Sequence, residues 1–488
     1  MSIDSTSVAQ DSSEVTEEAA DGRLRGSLGV PHLLFTLLAY NGPLIGAVAY
    51  QPIVIGYGNG AGAPMAFILG GAVLMLFALG FVAMSSGVKQ PGGFYSFVAA
   101  GLGRRAGMGA AFVAIAGYYV ISVSNFSFFG LSVNGLSDRF GWPQEPWWWY
   151  AIPLLLFCGV LGYFRIDVSA KVLSILLAAE LVVVGVYDTM VVVKGGAHGL
   201  SANFLQPDVA FSGSLGVALL FAAMMYGGFE ATVVFRHEVK DPDRSIPRAT
   251  YLFIVGVGIF YALTTWVTVE GLGESGAKAA AAADPSGSVQ DTMHRFAGLA
   301  TVDATSVLLN TSVVAASLAL YNVLSRYVFR LAAEGVLPKS LGTPHPVHHS
   351  PHRASIATGT ALMVGVVVAA LVGVDANQFY AQLAGIFSYA LFFLFVLTNI
   401  AVLVYLNRPP MVQRFSVWRR LIAPVLALVG LSVVLYLGLT NITVLLPVGQ
   451  TVGNGLIAGL YALFVAGFLF AHVIKKRRPE VYAQLGGS

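Results

Sequence analysis

Ala39-Tyr40-Asn41-Gly42-Pro43-Leu44-Ile45-Gly46, together with Tyr226-Gly227-Gly228-Phe229, decides how this chain folds. Both stretches lie inside apolar runs long enough to cross a bilayer, and both should interrupt a helix there. Proline removes a backbone donor and clashes with the carbonyl one turn back, and glycine weakens a helix further. Irregular backbone at membrane depth is tolerated where protein buries it or where it lines an aqueous cavity. The two stretches therefore read as paired helix breaks that build a site, rather than as a pair of Gly/Pro kinks made for packing.

Composition supplies the membrane. The chain has 488 residues, 56% of them hydrophobic and 10% charged, against roughly 45–50% and about 25% in soluble proteins. A disordered chain, a nucleic-acid-binding protein and a secreted disulfide scaffold are excluded on that ground. The single Cys158 permits no internal disulfide and no thiolate-rich metal site. Twelve spans are read at approximately 29–57, 63–86, 106–134, 147–163, 168–193, 213–236, 248–271, 301–330, 354–373, 377–407, 419–440 and 454–474. A helix rises about 1.5 Å per residue, so about 20 residues cover a hydrocarbon core of roughly 30 Å; all but the fourth are that long. With the N-terminus cytoplasmic, 23 of the 27 basic residues fall on the inner side. Only Arg139, Lys194, Lys278 and Arg295 fall outside. That asymmetry supports both the count and the orientation.

Residues 1–22 carry six acids and no base. They lack the pattern of a signal peptide and read as a disordered acidic cytoplasmic tail. Residues 475–488 read as a basic cytoplasmic tail. Trp142 and Trp147 to Trp149 fit an interfacial aromatic belt at the outer start of the fourth span. The broken spans, first and sixth, are corresponding members if residues 23–200 and 201–410 are two five-helix repeats. Five is odd, so the second repeat enters from the opposite side, and residues 411–474 add two further helices. The long loops 87–105 and 272–300 also correspond. Paired interrupted helices of this kind point to a binding site near the bilayer midplane.

The physics of the breaks favours a zwitterion. The second half of the first span begins near Gly42 to Gly46, presenting free N–H groups and the positive end of a helix dipole to a carboxylate. The outer half of the sixth ends near Tyr226 and leaves carbonyls for an ammonium group. The candidate binding residues are Asn41, Gly42, Leu44, Ile45, Gly46, Tyr119, Tyr226, Gly227, Gly228 and Phe229. Tyr118 and Ser122 on the third span and Phe387 to Tyr389 on the tenth either line the pocket or pack the core.

Three stretches resemble the amino acid–polyamine–organocation (APC) superfamily. They are Gln90-Pro91-Gly92-Gly93-Phe94-Tyr95 with Gly101-Leu102-Gly103; Gly228-Phe229-Glu230 with Glu238-Val239-Lys240-Asp241-Pro242 and Ile246-Pro247-Arg248-Ala249; and Ser325-Arg326 with Glu334-Gly335-Val336-Leu337-Pro338 and His345-Pro346. The resemblance implies an all-α inverted-repeat permease. Its first, second, sixth and seventh helices would rock against the third, fourth, eighth and ninth, moving an amino acid or related amine by alternating access. The chain departs from the family's usual G-S-G-I break at Asn41-Gly42-Pro43-Leu44-Ile45-Gly46.

Glu180, in the apolar run Ile175 to Val186, is an ionisable group at membrane depth and so a functional candidate. Two readings stand: a carboxyl that exchanges protons during transport, or a hydrogen-bonded structural acid. Glu230 beside the second break reads as structural or gating, and Asp188 near an outer helix end reads as solvated. His345, His348, His349 and His352 sit in a Pro-rich loop without Cys or carboxylates and read as a solvated loop rather than a metal site. No cofactor is implied. The expected partners are a small-molecule substrate, the lipid bilayer of the cell membrane and protons, not nucleic acid. A polyamine carrier or an amino acid/amine exchanger, a transporter-like sensor and an integral-membrane enzyme are the alternatives. The last would need a convergent His, Ser, Asp or metal constellation inside the membrane.

Overall fold

The computed structural model describes residues 29–88, 93–164, 170–233, 236, 239–348, 350–445 and 450–486. The acidic tail, Arg23, Arg25, Lys89, Gln90, Pro91, Gly92, Arg165, Glu238 and His349 lie outside the described residues.

The first predicted span forms two pieces. Helix α1 (Val30–Asn41) ends at Gly42, whose left-handed backbone (φ 62°) turns its N–H onto Leu38 O at 3.1 Å. Pro43 then opens α2 (residues 43–59), at the first helical position, where its missing N–H costs nothing. Within α2, Gly46–Tyr50 and Val54–Asn59 are wound as π-helical turns. The run continues into α3 (Ala63–Ser85), followed by a short buried helix α4 (Phe94–Leu102) and the long α5 (Arg104–Phe140). Next come α6 (Trp147–Phe164) and α7 (Ala170–Lys194). The sixth predicted span is also broken: α8 (Leu215–Met224) stops, a turn follows, and Phe229–Val233 resumes as a 3₁₀ turn.

The remaining helices are α9 (Pro242–Leu272), α10 (Ala277–Ala283), α11 (Ser288–Ala297), α12 (Leu299–Ala333), α13 (His352–Val372), α14 (Ala376–Leu406), α15 (Ala423–Thr440), α16 (Gln450–Arg477) and α17 (Pro479–Gln484). Among the described residues, ten helical stretches are long and apolar enough to cross a membrane. Val30–Ala39 and Leu215–Met224 are shorter apolar pieces, and they belong to the two spans in which the sequence predicts breaks. This is a multi-pass helical membrane protein. Outward-facing apolar residues match that setting: Val182 on α7 is 65% exposed and Leu371 on α13 is 83% exposed. In water such surface would be a liability; against lipid it is not.

Packing explains the two long connections. The predicted loop 87–105 contains α4, whose buried face lies on α5 and α14. The predicted loop 272–300 contains α10 and α11, and α10 packs against the far end of α2. Tyr95 of α4 donates its hydroxyl hydrogen to Glu334 Oε2 at 2.6 Å and accepts from the Gly486 N–H at 2.7 Å. Arg330 pairs with Glu334 at 3.2 Å. Two of the motif stretches thus meet through Tyr95 and Glu334. In the aromatic belt, Trp142 and Trp149 are exposed, whereas Trp147 turns inward onto Phe379, with ring centroids 6.2 Å apart.

The centre of the bundle is α14 against α5, with α3 and α4 alongside. An aromatic cluster joins these layers to the second break. Phe395 has Phe77 at 5.2 Å, Phe94 at 5.6 Å and Phe229 at 5.8 Å, measured between ring centroids, and is fully buried. Truncating a buried Phe to Ala removes its contacts and leaves a cavity, typically at a cost of about 3–5 kcal/mol. Phe395→Ala should therefore lower the thermal midpoint of the detergent-purified protein by several degrees. An unchanged midpoint would show that the cluster is not a core element.

Candidate functional site

The two breaks face each other across one cavity of about 110 Å³. Asn41, the last residue of α1, joins them. Its Nδ2 donates to Met225 O at 2.7 Å and to Gly227 O at 3.0 Å, the carbonyls that follow the end of α8. Tyr261 on α9 donates to Asn41 Oδ1 at 3.0 Å and so sets which way the amide points. The same Tyr261 hydroxyl occupies the place of a side chain at Gly46, where a Cβ would collide with it. This close approach is why a glycine stands there.

The opposite end of the break is also engaged. Leu44 N–H points at Glu180 Oε2, 3.4 Å away, and the Ser312 hydroxyl of α12 bonds the same carboxyl. Glu180 is 5% exposed. An acid from α7 therefore lies against the start of α2, where the helix dipole favours negative charge. At the second break, Gly228 N–H donates to Glu230 Oε2 at 2.9 Å, closing a tight loop on a backbone at φ 113°.

The structure separates the sequence-predicted residues into groups. Asn41, Ile45, Gly46, Gly227, Gly228 and Glu230 line the cavity. Gly42 and Leu44 shape the break from behind, both buried. Tyr226 is turned away from the cavity, donating to Phe67 O at 2.6 Å, and Phe229 belongs to the aromatic cluster. Tyr119 points to the other side of α5, with its hydroxyl donating to Ala361 O of α13 at 3.2 Å. It is the adjacent Tyr118 that lines the cavity, tilted against Phe387 with ring centroids 5.9 Å apart. Successive residues on a helix point about 100° apart, so a one-residue difference suffices to change face. Ser122 bonds back to Tyr118 O, Ser388 to Ala384 O and Tyr389 to Gly438 O, all packing roles.

One other expectation changes as well. Asp188 is not solvated: its Oδ2 accepts from Thr264 at 2.9 Å and its Oδ1 is buried. In the histidine loop, His345 Nδ1 accepts from the backbone N–H of Val347 and of His348, and its ring packs with Tyr163. Sequence reasoning missed Tyr50, Asn125, Met225 and Tyr261, which also line the cavity. Asn125 carried a signal, being an amide inside an apolar span; its Nδ2 donates to Ser317 Oγ at 2.8 Å. Tyr50 and Tyr261 carried none, since aromatic residues at helical spacing look the same in a core.

Comparison with known proteins agrees with this architecture. The family model described as Amino acid permease matches residues 33–481. The chain is 27% identical over 235 residues to an uncharacterized transporter of Rhizobium meliloti (strain 1021), covering 46% of this chain and 47% of that protein. It is 25% identical over 232 residues to the low-affinity putrescine importer PlaP of Escherichia coli (strain K12), covering 46% and 50%. It is 24% identical over 393 residues to the branched-chain amino acid permease BcaP of Bacillus subtilis (strain 168), covering 76% and 80%. The matched segments thus span about half the length of the first two relatives.

Leaving a buried donor without a partner costs about 1–3 kcal/mol. Glu180→Leu, which deprives Leu44 N–H and Ser312 of their acceptor, should be destabilised by that amount. Glu180→Gln, which keeps an acceptor oxygen, should lose less. Thermal unfolding of both variants in detergent checks the order; a Leu variant as stable as the Gln variant would remove this hydrogen bond from the account.

Proposed function

The chain belongs to the amino acid permease family, and from that premise we propose that it is a secondary transporter moving an amino acid or related amine across the cell membrane by alternating access. The family is one of transporters, not of enzymes. The observation that carries the reading is the pair of broken helices meeting at one cavity through Asn41. Unwound backbone at membrane depth binds what a continuous helix cannot, because its amides and carbonyls are not consumed by the helical ladder.

In this reading the substrate's ammonium group lies against Met225 O and Gly227 O, and Ile45, Gly46, Gly227 and Gly228 contact its body. Glu230 holds the second break in shape. The twelve spans form two inverted repeats, 23–200 and 201–410, with residues 411–474 appended and both termini cytoplasmic. The first, second, sixth and seventh spans rock against the third, fourth, eighth and ninth. The sequence contains no P-loop, so ion or substrate gradients supply the energy. Glu180, buried between α7, α2 and α12, is the group proposed to exchange protons, because it touches the broken helix whose movement opens and closes the site. Relatives named for putrescine and for branched-chain amino acids bracket the substrate range.

Two outcomes are expected in proteoliposomes. Gly228→Leu should insert normally yet lose uptake by at least about tenfold, since a side chain at φ 113° is strained and would fill the cavity wall. Uptake at the wild-type rate would remove the second break from the site. Glu180→Gln should flatten the dependence of uptake on an imposed pH gradient; an unaltered dependence would leave Glu180 with a structural role alone.

A further inference from the structure

Directly behind the cavity wall, at the start of α2 where an amino acid would bring its carboxylate, the protein places a carboxylate of its own, Glu180. At the start of α2, Pro43 has no N–H, Leu44 gives its N–H to Glu180 and Gly46 gives its N–H to Gly42 O at 3.0 Å, which leaves Ile45 as the one other amide of this turn. Ser312, a second donor near this end, is also bound to Glu180. A substrate carboxylate placed here would meet a buried acid that already holds the Leu44 N–H and the Ser312 hydroxyl. Like charges juxtaposed in a poorly solvated site repel strongly.

The cavity wall suits a cation instead. Among the described residues lining it there is no Lys, Arg or His, and Glu230 is an acid. Met225 O and Gly227 O accept from Asn41, but a carbonyl has two lone pairs, so each keeps capacity for an ammonium donor. Tyr118 and Phe387 add aromatic faces, which attract cations. The rest of the lining combines aliphatic Ile121, Leu320 and Leu391 with Tyr50, Asn125 and Tyr261, neutral side chains all.

We infer that the substrate is a small organic amine with an apolar body and no α-carboxylate, and that Glu180 is the residue that excludes the corresponding amino acids. This rests on the transporter reading of the same cavity and narrows its substrate class. Glu180 takes the position of the substrate carboxylate at the start of α2, so recognition retains only the ammonium half of the zwitterion.

The test uses the purified full chain and ligand pairs that differ by a carboxylate: isoamylamine and leucine, putrescine and ornithine, cadaverine and lysine, tyramine and tyrosine. Binding is measured by calorimetry, and flux is measured separately in proteoliposomes. The expected result is that in at least one pair the amine binds at least about tenfold more tightly than its amino acid. Glu180→Ala should narrow that ratio by admitting the amino acid. Glu180→Gln, which removes the charge but keeps an acceptor for Leu44, serves if the Ala variant does not fold. The inference is overturned if amino acids bind as well as or better than their amines, if no amine binds, or if the ratio is the same in the folded Glu180 variant. Amine binding without flux would sink the transporter reading and leave the ligand class standing. Flux that prefers amino acids would do the reverse.

Discussion

Everything near the cavity depends on the side chain of Asn41. A helix broken inside a membrane leaves amides and carbonyls without partners, and no water is at hand to satisfy them. Asn41 lies at the end of one half-helix and donates two hydrogen bonds to the carbonyls beyond the end of another. Tyr261 orients it from a third element. One short polar side chain therefore couples α1, the turn after α8, and α9. These elements come from distant parts of the chain, so the coupling makes the two breaks a single unit rather than two local irregularities.

Glu180 does the complementary task at the opposite polarity. The start of α2 exposes amide hydrogens and a positive dipole end, and a carboxylate from α7 occupies it, supported by Ser312 from α12. Acid and amide satisfy each other, which is how an ionisable residue can stand in an apolar helix at acceptable cost. The arrangement also makes the site asymmetric. Carbonyls, aromatic rings and Glu230 face the cavity, while the amide-rich end is closed by the protein's own acid. The proposed preference for cations rests on that asymmetry and needs no acidic cluster.

The scaffold around the breaks is ordinary membrane packing with a few fixed points. α5 and α14 provide the central contact, and Phe395 ties them to the second break through Phe229. Tyr95 and Glu334 anchor the short helix α4 against α12. These links bring together motif residues far apart in the chain: Tyr95 and Glu334 are two halves of one hydrogen bond.

Charge, apolar run length and helix-breaking residues by themselves determined that this is a polytopic helical membrane protein whose first and sixth spans are interrupted. These are local or one-dimensional properties, and Pro43, Gly42 and Gly228 act wherever the chain runs. Sequence also marked Glu180 and Glu230, because a charge at membrane depth must be accounted for. It could not say that Leu44 N–H would be taken by Glu180, which lies 136 residues away. Nor could it choose between Tyr118 and Tyr119, or reveal that Tyr261 rather than Tyr226 faces the site. Those outcomes depend on the rotation of each helix about its axis and on which partner it meets. Only tertiary packing decides them, since apolar residues on every face leave rotation unmarked in the sequence.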